Sequence, residues 1–154
     1  MAKQYWLMKS EPDVFSIDDL KKQKTSLWDG VRNYQARNFM MKDMKVGDEV
    51  LFYHSNATPP GVVGLAEVSE PATPDPTQYD KKSEYFAEKA SKEKPIWYCV
   101  KVKFKSKFPQ MVALEDIKDH AELNDMLVVQ RGQRLSIQPV EPQHFETIKK
   151  LGGL

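Results

Sequence analysis

The sequence predicts an α+β domain: a small curved β-sheet or partly open barrel covered by short helices. Three observations point there. Apolar runs are short and numerous, and Pro, Gly, Asn or Ser signals close most of them. Helical periodicity occurs only in brief stretches between those runs. No repeat or composition break divides the 154 residues, so one domain over 1–154 is expected.

Tyr5-Trp6-Leu7-Met8, closed by Ser10-Glu11-Pro12, reads as a first strand. Ser16 with Asp19 three residues on resembles a capping box, and the short helix it opens ends in Lys21-Lys22-Gln23-Lys24. Trp28-Asp29-Gly30 is a turn signal. Ala36, Phe39, Met40 and Met44 recur at helical spacing, and Val46-Gly47-Asp48 stops that helix. Glu49 to Tyr53 is nearly all apolar, as in a strand buried on both faces. After Thr58-Pro59-Pro60-Gly61 a strand over 62–68 carries Gly64, which permits close backbone approach.

Three prolines make 71–79 a loop, and the charged stretch 80–94 reads as a mobile excursion. Residues 96–108 form the longest strand. Its Val100, Val102, Phe104 and Phe108 face the core, while Lys101, Lys103, Lys105 and Lys107 face away. Short helices are expected at 114–117 and 121–127, then a strand over 135–140. Pro142 opens a last helix with Phe145, Ile148 and Leu151 as its buried stripe.

Charge narrows the function. Lys+Arg number 23 and Asp+Glu 22, so a net +1 cannot drive strong sequence-blind binding to a polyanion. A nucleic-acid role needs a local patch and a specific pocket. The single cysteine, Cys99, excludes an internal disulfide and a cysteine zinc site. His54, His120 and His144 lack metal-site spacing, and no nucleophile elbow, phosphate loop or dinucleotide fingerprint is present. No metal or cofactor is expected. Lys9 and Glu11 come too early for a signal peptide, and no apolar run approaches the ~20 residues of a membrane span. The expectation is a cytoplasmic chain, or a nuclear one in a eukaryote.

The densest polar-aromatic cluster is Trp28-Asp29-Gly30-Val31-Arg32-Asn33-Tyr34-Gln35-Ala36-Arg37-Asn38. Such residues can stack on a base, bond its edge and hold phosphates; a helix starting at Ala36 would add free amides. The alternative is that the aromatics are core and the arginines solvated. Tyr53-His54-Ser55-Asn56 leaves a buried strand for a loop, either a ligand site or a plain turn. Ser136 and Gln138 alternate with apolar neighbours and would share one strand face. The lysine stripe can track a phosphate backbone, but it also suits an edge strand that resists aggregation, and that reading is preferred. Cys99 shares the lysines' parity, yet reads better as a packed, unreactive thiol.

Six blocks in order resemble the EVE domain family: 6–12, 28–38, 47–55, 61–68, 74–80 and 135–140. They cover nearly the whole chain. The resemblance implies a PUA-like fold, a bent mixed β-sheet or pseudo-barrel with short helices packed around it. It also implies a pocket for a base flipped out of DNA or RNA, with modified cytosines the leading ligands. It assigns Trp28 and Tyr53 as pocket aromatics and Asn33, Ser55, Asn56, Ser136 and Gln138 as polar readers. Lys9, Ser10 and Arg32 would stand at the rim, and Arg37, Lys101, Lys103 and Lys105 would grip the strand. Two other classes stay open. One is an enzyme on a modified nucleotide, using Asp29 or Glu11. The other is a protein-interaction module, with a protein partner or a second copy of the chain.

Overall fold

In the computed structural model, which describes residues 3–132 and 135–154, six strands form one mixed sheet. They are β1 (Tyr5–Ser10), β2 (Thr25–Leu27), β3 (Glu49–His54), β4 (Gly61–Pro74), β5 (Tyr98–Ala113) and β6 (Ile137–Val140). The order is β2-β5-β4-β3-β1-β6, so the sheet is open and does not close into a barrel. β1 and β3 run parallel and all other pairs are antiparallel. Both parallel strands therefore end at the same edge.

Alternation along β1 and β3 splits the core in two. Trp6, Met8, Val50 and Phe52 face one side, beneath α1 (Ile17–Gln23) and α2 (Tyr34–Asn38). Leu7, Leu51 and Tyr53 face the other, which α3 (Leu114–Lys118) and α4 (Pro142–Leu151) cover. Ser16 caps α1 as expected: its Oγ accepts from the Asp19 amide, and the Asp19 carboxylate accepts from the Ser16 amide. Phe145 and Ile148 are fully buried on α4, whose first residue is Pro142. The helix over 34–44 is α2 followed by a π-helical turn, Phe39–Asp43.

Several expectations are overturned. β4 continues through Pro71 to Pro74 instead of becoming a loop. Register shifts against β5 after Glu70 leave Pro71 free of ladder donation. β5 is an edge strand only in part: β2 pairs with it at Lys101–Lys103 and β4 runs along its other side, while Lys105 and Lys107 lie beyond β2. The helix at 121–127 is two 3₁₀ turns, Ala121–Leu123 and Leu127–Val129. Residues 80–94 form turns tied back to the body: the Ala87 amide donates to the Gln78 carbonyl, and the Tyr85 carbonyl accepts from Arg32. Phe104 is only partly buried, whereas Val100, Val102 and Phe108 are core. Gly64 meets the close approach read for it, since a β-carbon there would lie 2.5 Å from the Ser106 carbonyl oxygen.

Cys99 is fully buried despite its parity with the lysines, because irregular β4–β5 pairing interrupts the alternation. Burial pushes its thiol up to about 12, with the Asp75 and Asp29 carboxylates adding to the rise. The thiolate is therefore negligible at pH 8. We expect no reaction of Cys99 with a thiol-specific chromogenic disulfide in the native protein and full reaction in denaturant. Rapid native labelling would refute its burial.

Candidate functional site

An open cleft of about 1190 Å³ lies where the parallel strands end. One wall is the end of β1 and the loop after it, Lys9, Ser10, Glu11, Val14 and Phe15. The opposite wall is the stretch from Gln23 through β2 to the turn 28–32. Ser55 and Asn56 enter from the end of β3, Ser136 from before β6, and Tyr85 and Lys101 close the sides. The void exceeds the volume of a single base, and its lining mixes hydroxyls, an amide, carboxylates and aromatics.

The turn is held from behind. The Trp28 amide donates to the Val100 carbonyl at 2.8 Å, and the Gly30 amide to Asp75 Oδ2 at 2.8 Å. Gly30 has φ +81°, and the Tyr85 ring occupies the place a β-carbon would take. Asp75 is buried, 1 % exposed. It also accepts from the Thr77 amide and hydroxyl and from Arg32. Burial alone would raise its carboxyl, but the bonds from Thr77, Gly30 and Arg32 outweigh it and hold the carboxyl below its ordinary 3.8. Arg32 completes the clamp by donating to the Tyr85 carbonyl and the Thr77 hydroxyl. Gln78, fully buried, accepts from the amides of Ile96 and Trp97 and donates to the carbonyls of Asp75 and Trp97.

Trp28 both lines the cleft and belongs to the core, 8 % exposed and edge-on to Phe52 with centroids 5.5 Å apart. Lys9, Ser10, Arg32, Ser55, Asn56 and Ser136 also line it. Three of the expected pocket residues, one aromatic and two polar readers, do not. Tyr53 points to the opposite core, because one residue along a strand reverses the face and Phe52 takes the cleft side. Asn33 is the cap of α2, and its Oδ1 takes the Ala36 amide instead of reading a base. Gln138 is 1 % exposed and donates to the Leu135 carbonyl. Ser136 lies in a bend before β6, so the alternation does not run through both.

The backbone-gripping set also changes. Lys101 pairs with Glu70 at 2.9 Å, Lys103 with Glu67 at 3.2 Å and Lys107 with Asp18 at 2.8 Å, while Lys105 pairs with Glu49. The stripe is a neutralised ladder rather than a positive track. Arg37 donates to the Ile96 carbonyl and stacks 4.7 Å from the Tyr34 ring centroid, a structural role. Lys9 differs: among the described residues no carboxylate pairs with it. Its ammonium lies 5.8 Å from the Tyr53 ring centroid, and burial lowers its pKa. His54 is held neutral by burial, and its Nε2 accepts from the Ile17 amide.

Sequence reasoning missed Asp75, Thr77, Gln78 and Tyr85. Asp75-Pro76-Thr77 does carry a cap-and-proline signature, which the 3₁₀ turn Pro76–Tyr79 uses. Nothing local tells that the same carboxylate reaches Gly30, 45 residues away.

An open mixed sheet with a polar-aromatic cleft beyond the ends of its parallel strands defines a PUA-like domain. Residues 4–151 match the EVE domain, and the chain belongs to that family. It is 40% identical over 166 residues to thymocyte nuclear protein 1 of Gallus gallus, a match spanning 96% of this chain and 68% of that protein. A protein from Leishmania major has the same structure at TM-score 0.92 and 54% identity, covering 98% of this chain and 95% of that one. Human THYN1, solved in complex with 5-methylcytosine-containing DNA, superposes at TM-score 0.90 with 38% identity, covering 99% of each chain.

Proposed function

We propose that this domain is a non-catalytic reader that binds DNA carrying a modified cytosine, with the base turned out of the stack into the cleft of Trp28, Ser55, Asn56 and Ser136. The observation that carries the reading is the near-complete superposition on human THYN1, which was solved with 5-methylcytosine DNA. The cleft supports it: it is large enough for a nucleotide and lined with base-edge donors and acceptors. Lys9 lines the cleft, has no carboxylate partner among the described residues, and supplies the phosphate contact by swinging its ammonium from the Tyr53 ring to the rim, where Ser10 stands beside it. In a eukaryotic source the reading places the domain in the nucleus; in a bacterium, with cytoplasmic DNA.

A methyl group in an apolar notch is worth about 1–3 kcal/mol, and flipping a paired base costs a few kcal/mol. Preference for 5-methylcytosine over cytosine should therefore be roughly 10- to 200-fold, and single strands should bind more tightly than duplexes. The test is a tryptophan-fluorescence titration at low salt with short DNA and RNA strands. These carry cytosine, 5-methylcytosine, 5-hydroxymethylcytosine or 5-carboxylcytosine. Saturable quenching at lowest concentration by a modified DNA strand is expected, with strand mass unchanged after long incubation. Lys9→Gln should flatten the salt dependence by about one phosphate contact, a slope change near 0.7 on single strands. Equal weak binding to every strand would end the reader hypothesis, and a change in strand mass would replace it with an enzyme.

A further inference from the structure

We propose that Asp29 sets base identity in the cleft, accepting a hydrogen bond from the exocyclic amine of an amino-bearing base such as cytosine and thereby excluding thymine. The inference deepens the reader function and rests on it.

Asp29 lines the cleft between two residues whose backbone is fixed. On one side the Trp28 amide is bonded to Val100 and its indole is packed against Phe52. On the other the Gly30 amide is bonded to Asp75. A side chain mounted on so constrained a turn is presented in one place, as a reading group must be. The carboxylate is also free of side-chain bonds. Arg32, three residues on, gives its guanidinium to Asp75, Thr77 and the Tyr85 carbonyl. Lys101 pairs with Glu70. Glu11, the other cleft carboxylate, accepts from the Asn56 side-chain Nδ2. Among the described residues no other side chain bonds or pairs with Asp29, and its own backbone amide is the one donor it has.

Asp29 is exposed along the cleft. Partial desolvation, with the neighbouring Asp75 carboxylate, raises its pKa above the ordinary value against the opposing charge of Arg32, and a base seated on it would strip the remaining water. Such an oxygen is well stabilised by an N–H donor and poorly matched to another acceptor. Cytosine presents an amine at position 4 where thymine presents a carbonyl oxygen. 5-Methylcytosine and thymine share the 5-methyl group, so comparing them isolates the amine edge from the methyl notch.

The experiment measures binding of single strands, identical except for one central 5-methylcytosine, cytosine or thymine, to the wild type and to Asp29→Asn and Asp29→Ser. The wild type should prefer 5-methylcytosine to thymine by roughly 10- to 100-fold, the range of one good edge contact. Asp29→Asn carries both a donor and an acceptor, so its ratio should fall to within about threefold. Asp29→Ser should fall similarly, with thermal unfolding of both variants close to wild type. An unchanged ratio in both folded variants overturns the assignment. So does an equal loss for both bases, because a structural role weakens all binding without moving the ratio. If the wild type binds all three strands equally weakly, the reader function fails and takes this inference with it.

Discussion

Asp75→Ala is expected to lower stability by about 3–5 kcal/mol, the cost of leaving a buried charge unpaired. The substitution removes four bonds at once: those from the Gly30 amide, the Thr77 amide, the Thr77 hydroxyl and Arg32. A urea midpoint well below wild type checks it, and a loss under ~1 kcal/mol would show that the clamp is not what holds the turn. Asp75→Asn keeps an acceptor oxygen and should lose less. The pH dependence has a fixed sign. The folded-state pKa lies below the ordinary 3.8, so the folded chain binds this proton less readily than the unfolded chain. The carboxylate's contribution is full well above 3.8 and declines as pH falls toward the folded value, so wild type should lose an acid-labile increment that Asp75→Ala lacks.

The second large effect is at Trp28. Its indole is almost wholly buried and packs on Phe52, so Trp28→Ala should cost about 3–5 kcal/mol by leaving a cavity. At this chain length that is roughly 2–4 °C of melting temperature per kcal/mol. A variant that stays as stable as wild type would show that the ring is not part of the core. Loss of binding in Trp28→Ala alone therefore says little about the pocket. Trp28→Phe, which keeps an aromatic against Phe52, separates stacking on a base from support of the fold.

What was legible in the sequence was local. The Ser16–Asp19 capping box, the proline start of α4 and the apolar run of β3 are each set by residues within one turn or strand. What was not legible depends on parity or distance. A strand apolar at nearly every position gives no clue which residue faces which core, so Tyr53 was placed in the cleft where Phe52 packs beneath it. The lysines of β5 read as an edge throughout because sequence cannot show the three-residue strand β2 that pairs beside Lys101 and Lys103. The stretch 80–94 looked loose because its anchors, Arg32 and Gln78, lie outside it. For the cleft, the motif blocks located the walls at Lys9–Ser10, the Trp28 turn and Ser55–Asn56, while the clamp behind them came from tertiary structure.

The paired lysine ladder bears on how such a protein would find its target. Free cations let a protein stay near a duplex and slide along it. Here the cations along β5 are already matched by Glu70, Glu67, Glu49 and Asp18. A reader built this way is expected to slide only short distances and to sample sites mainly by repeated three-dimensional encounters, which tracking single molecules on stretched DNA checks. Its occupancy then follows the number of accessible marked bases rather than the length of DNA around them.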